Sequence, residues 1–158
     1  GARLEASLVR GSRLAASAGA GYEGTGRGPG FFLLSGTPSE GKTVAELEAA
    51  LRAEVRRIAD EGVAEDELAR VKAQVVASQV FARDSMFAQA RQMGALESIG
   101  LSYRMIDLFV EQIRRVTPEQ VQQVARRYFG DDALTVAMLD PQPLSQKRPV
   151  APPAGIRH

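Results

Sequence analysis

The spacing of apolar positions changes along this chain, and each change predicts an element. Arg3, Leu4, Leu8 and Val9 are spaced as on a helix. No capping residue precedes them, so the start reads as the middle of a helix and the natural protein is expected to begin well upstream. After Gly11 the pattern becomes extended: residues 13 to 21 are small and alternate loosely. The glycine-rich stretch Gly19 to Gly30 then leads to the apolar run Phe31 to Ser35 or Gly36. Two such runs joined by a glycine-rich connection predict an antiparallel hairpin with a long loop.

Helical periodicity fills the next ninety or so residues, in four predicted segments. The first starts at Thr43, with Glu46 completing a T-x-x-E capping box. It carries Val44, Leu47, Leu51, Val55 and Ile58 on one stripe, and Gly62 ends it. The second is expected to run unbroken from about Glu65 to about Ser98, with Leu68, Val71, Val75, Phe87, Ala90 and Met93 on its face. Gly94 is a candidate irregularity, and the polar run Arg83-Asp84-Ser85-Met86 interrupts the stripe as a bend, a polar contact to another domain or a plain surface patch. The third, Tyr103 to Val116, is expected to bury Ile106, Phe109, Val110 and Ile113. The fourth has a complete start signal in Thr117-Pro118-Glu119-Gln120, carries Val121, Val124, Ala125 and Tyr128, and is expected to stop at Gly130.

A short strand, Leu134 to Leu139, is then expected to return to the sheet. The order hairpin, four helices, strand predicts an α+β fold, a mainly antiparallel sheet with helices layered on one face. The expected organisation is a single domain over residues 1–140, with the N-terminal part of that domain missing, and a proline-rich tail over 141–158.

Composition narrows the chemistry. A net charge of +1 gives no global attraction to nucleic acid or an anionic membrane, and the arginines are scattered along helices. No apolar run approaches the roughly 20 residues of a membrane span. There is no cysteine, hence no disulfide framework or thiolate chemistry. The single histidine, His158, ends the tail, which leaves no material for a multi-histidine zinc site or a Ser-His-Asp arrangement. Glu46, Glu54, Glu61 and Glu65 alternate with Arg52, Arg56 and Arg57, as on a solvated helix face with paired charges. Asp131-Asp132 reads as turn chemistry. No catalytic, metal-binding or cofactor-binding residue is assigned to the chain.

One string competes with that absence. Gly36-Thr37-Pro38-Ser39-Glu40-Gly41-Lys42-Thr43 fits G-x-x-x-x-G-K-[ST], the phosphate loop, with an apolar run before it and a helix after it. Asp140, after Val136 to Leu139, could serve as its companion metal-binding aspartate. Phosphate-loop folds, however, need a parallel sheet whose next strand follows the helix. Here the helix leads to three more helices, so the string is expected to be a strand-to-helix connection. Gly19-Ala20-Gly21-Tyr22-Glu23-Gly24 fits G-x-G-x-x-G, but it opens no helix, which the dinucleotide fingerprint requires.

Several strings, in order, carry a family resemblance. Leu8-Val9-Arg10, Leu14 to Tyr22, Gly28-Pro29-Gly30-Phe31-Phe32, Glu61 to Lys72, and Val116 to Phe129 with the following Leu134-Thr135-Val136 together resemble the insulinase/pitrilysin-type zinc metallopeptidases, the H-x-x-E-H family. The resemblance is to the second, non-zinc domain of a two-domain bacterial subunit. It implies a zinc ion in a preceding domain and none in this chain, since no H-x-x-E-H occurs here. It further implies a second homologous subunit and a peptide substrate as partners. The family's Arg/Tyr pair falls near Arg10 and Ala15-Ala16, where the tyrosine is absent. Periplasmic or exported localisation is implied by the resemblance alone.

The function expected from this resemblance is the non-catalytic C-terminal part of a zinc-dependent endopeptidase, packed against the zinc domain to enclose a peptide chamber. The alternatives are a nucleotide-binding module using Gly36 to Thr43, or a non-enzymatic assembly subunit of the same fold.

Overall fold

The computed structural model describes residues 3–140 except 23, 25 and 27; the expected tail, 141–158, lies outside the described residues. The element order is a π-helical segment Glu5–Gly11, strands β1 (Ala15–Tyr22) and β2 (Phe32–Pro38), then helices α1 (Val44–Glu61), α2 (Glu65–Ala82), α3 (Met86–Ser98), α4 (Met105–Arg115) and α5 (Pro118–Tyr128), and a single 3-10 turn Asp131–Ala133.

The predicted hairpin forms. β1 and β2 pair antiparallel with Ala18 opposite Gly36, Ala20 opposite Leu34 and Tyr22 opposite Phe32, and a bulge lies between Ala15 and Ser17. Residues opposite each other share a face. Ala18 and Leu34 therefore turn inward, against a core of Leu4, Leu8, Ala15, Leu47 and Leu51. The N-terminal segment is helical, but with π geometry: the Ser12 N–H donates to Ser7 O at 2.9 Å, five residues back. Its Leu4 and Leu8 point into the same core.

Both predicted capping boxes are present. At α1 the Glu46 N–H donates to Thr43 Oγ1 (3.2 Å), and the Thr43 N–H donates to Glu46 Oε2 (2.8 Å). At α5 the Gln120 N–H donates to Thr117 Oγ1 (3.3 Å), and the Thr117 N–H donates to Gln120 Oε1 (3.0 Å), with Pro118 at the first helical position. Gly62 ends α1 at φ +79°, a backbone conformation that side-chained residues rarely adopt.

Helix α5 lies along α1 and satisfies that helix's final carbonyls. Arg126 Nε donates to Ala59 O at 2.6 Å, and Gln122 Nε2 donates to Asp60 O at 2.9 Å. Carbonyls in the last turn of a helix have no partner within it, so these two side chains fix where α5 sits. At the other end of α5, the Phe129 ring meets Phe32 edge-on, with centroids 4.7 Å apart.

Four expectations change. The helix expected over Glu65–Ser98 is two helices, because Arg83-Asp84-Ser85 forms a turn in which Ser85 caps α3 by accepting from the Ala88 N–H at 3.2 Å. The polar run was a helix stop and a helix start, whereas Gly94 lies undisturbed inside α3. Helix α4 buries no residue: Phe109 is 45% exposed, and Ile106, Val110 and Ile113 are only partly covered. Leu134 to Leu139 has no strand partner among the described residues, so the described sheet has two strands. Smaller shifts carry β2 on to Pro38 and end α5 at Tyr128 rather than Gly130.

Candidate functional site

The phosphate-loop string is divided between two structures. Gly36, Thr37 and Pro38 belong to β2 and pair with Ala18, Ser17 and Ala15 of an antiparallel neighbour. Ser39 to Lys42 then form a tight turn, with the Ser39 N–H donating to Leu14 O (2.9 Å) and the Lys42 N–H to Ser39 O (3.0 Å). Gly36 is required for packing: a Cβ there would stand 3.0 Å from Leu47 Cδ2 and 3.1 Å from Ser17 O. The glycine lets α1 settle on the sheet.

Thr43 is committed as well. Its hydroxyl donates to Glu46 Oε2 at 2.8 Å while accepting from the Glu46 N–H. A carboxylate therefore occupies the start of α1, where a phosphate would have to lie. Donation from the Thr43 backbone N–H, then from its hydroxyl, holds the Glu46 carboxyl below its ordinary pKa. An anionic group already seated on those donors repels a second one. Antiparallel pairing and the occupied helix start together overturn the nucleotide-binding alternative. The G-x-G-x-x-G match fails similarly, since Gly19 and Gly21 lie within β1.

The structure finds a feature that charge counting misplaced. Glu54 is no solvated helix-face residue: it is 3% exposed, in the interior beside the N-terminal segment. Ser7 Oγ donates to its Oε1 at 2.6 Å, and Arg57 Nη1 lies 3.2 Å from the same oxygen. A buried carboxylate persists only when its lone pairs are met, and here a hydroxyl and a guanidinium meet them. The signal was present in the sequence. Leu47, Leu51, Glu54 and Ile58 follow a 4-3-4 spacing, so Glu54 falls on the stripe that faces the core.

A second tie fastens the same segment. Arg3 Nε donates to Glu67 Oε1 at 3.0 Å and Arg3 Nη2 pairs with Oε2, a two-pronged contact to the first turn of α2. This hydrogen bonding to Glu67 holds the Arg3 pKa above its ordinary value against a lowering effect of burial. Arg10, by contrast, is exposed; of the two alanines where the tyrosine would fall, Ala15 is 2% exposed in the core and Ala16 lies at the surface. Asp131 pairs with Arg52, and Arg83 of the α2–α3 turn pairs with Asp107 of α4 at 2.5 Å.

Among the described residues no cluster of three His, Cys, Asp or Glu side chains could hold a metal ion, and His158 lies outside them. The described residues therefore do not supply the donor set of a zinc site. No helix among the described residues is long and apolar enough to cross a membrane.

The sheet has two unlike faces. Gly36 and Leu34 meet the core, while the opposite alternation places Ser17, Gly19 and Gly21 beside Thr37, Ser35 and Leu33. That outer face is low in relief and largely open, with Leu33 63% exposed.

The family profile of the peptidase M16 inactive domain matches residues 1–75. Over 91% of this chain and 78% of its own, the inactive peptidase domain of a protein assigned as a zinc protease from Bordetella parapertussis superposes with a TM-score of 0.74 at 17% identity. A protein assigned as a zinc protease from Bordetella pertussis Tohama I superposes with a TM-score of 0.77, also at 17% identity, over 89% of this chain and 76% of its own. No curated protein matches.

Proposed function

We propose, from the match of residues 1–75 to the peptidase M16 inactive domain and from the fold that the chain shares with such a domain, that it is the non-catalytic part of a zinc-dependent endopeptidase. Its role is to pack against a zinc-bearing domain and form one wall of a peptide-binding chamber. The observation that carries this is the match over residues 1–75, which contains the whole hairpin, α1 and the ties made by Glu54 and Glu67.

The open outer face of the hairpin supports the wall role. Small and hydroxyl side chains on one side of a sheet allow another backbone to approach closely. Ser17, Gly19, Ser35 and Thr37 give such a surface, and Leu33 offers an apolar contact. A second homologous subunit closing the chamber is part of the same proposal, as is an extended peptide within it.

The proposed domain occupies residues 1–140, with 141–158 as a tail. The proposed packing against a zinc-bearing domain would cover apolar surface that is open on this one. Support comes from Leu134 to Leu139, an apolar stretch without a strand partner among the described residues, and from the uncovered faces of α2 to α4.

The parent gene provides the direct test. An H-x-x-E-H motif in the coding sequence upstream of Gly1 is the expected result; its absence would leave a non-enzymatic relative of the same fold. Metal analysis of the chain by itself is expected to find no stoichiometric zinc. One tightly held zinc per chain would contradict the assignment.

A further inference from the structure

We draw no further inference here: the strongest candidate, the exposed apolar cluster of Val80, Phe81, Met86 and Phe87 around the turn between α2 and α3, carries nothing because nothing in the structure shows what covers it.

Discussion

Leu47 on α1 and Phe87 on α3 both stand on the apolar stripe of a capped helix, yet Leu47 is 3% exposed and Phe87 is 77% exposed. The same contrast separates two regions. Around the hairpin, the π-helical segment and α1, side chains from three elements converge on one core, and the polar groups drawn into it are partnered. Along α2, α3 and α4 the helices are regular, but only Leu96 is buried. Helix formation and burial are therefore separate achievements. Caps and propensity settle the first locally, whereas the second needs a surface opposite. The outer helices have the sequence of elements made to be covered.

The largest expected difference comes from truncating equivalent side chains in the two regions. Leu47→Ala removes a side chain in contact with the sheet and is expected to cost about 2–5 kcal/mol. Phe87→Ala removes a larger side chain, yet one that is mostly in solvent, and is expected to stay within about 0.5 kcal/mol. Denaturant unfolding of both variants measures this. Equal losses would mean that the outer helices are covered in solution, and the contrast would collapse.

Glycine substitutions sharpen the comparison because they should differ in sign. Gly36→Ala forces a methyl against Leu47 and, less forgivingly, the backbone oxygen of Ser17, so a loss of about 1–3 kcal/mol is expected. Gly94→Ala meets no atom within 4 Å and replaces a poor helix former inside α3, with an expected gain of about 0.5–1 kcal/mol. A tolerated Gly36→Ala would show that α1 stands further from the sheet than described.

A third substitution addresses the polar tie beneath the core. Ser7→Ala removes the hydroxyl that donates to buried Glu54 and leaves part of a carboxylate unmet, a loss expected at about 1–3 kcal/mol. In Glu54→Leu, by contrast, the need for that hydroxyl disappears, and Ser7→Ala made in that background should be nearly neutral. The same loss in both backgrounds would separate Ser7 from Glu54.

These contrasts explain how much was legible from the residues. Local signals held: Thr43 with Glu46, Thr117 with Gln120, Gly62, and the alternation that made the hairpin. The phosphate-loop string is legible in the same way, because the glycine-rich connection implies an antiparallel partner for the strand that precedes it. What failed was non-local. Arg83-Asp84-Ser85 looked like an interruption because a 3.6-residue period continues in register on either side of it, and periodicity alone does not reveal a cap at Ser85. Leu134 to Leu139 has the composition of a strand, but a strand exists only where another supplies its ladder. Burial of α4 failed likewise, since an amphipathic face predicts a partner without supplying one. Glu54 departs for the opposite reason: its charge points to solvent, although its position on the 4-3-4 stripe places it inside.

The smallest expected effect concerns pH and lies at the boundary between sheet and helices. Thr43 holds the Glu46 carboxyl below its ordinary value of 4.5, first through its backbone N–H and then through its hydroxyl. A carboxyl with a lowered folded-state pKa binds protons more readily when unfolded. Its stabilising contribution is thus complete above about pH 4.5 and is lost as pH falls from there through the folded value. Glu46→Gln should flatten this part of the acid limb while leaving stability near neutral pH only slightly reduced, because glutamine can still close a capping box. Thr43→Val should weaken the acid dependence without abolishing it, since the backbone donor remains. Glu119, lowered first by the Thr117 hydroxyl, titrates in the same direction and contributes to the residual slope. Stability measured from pH 6 to pH 3 decides the matter: an unchanged acid limb in Glu46→Gln would mean that the carboxylate does not sit on Thr43, and the start of α1 would again be open to an anion.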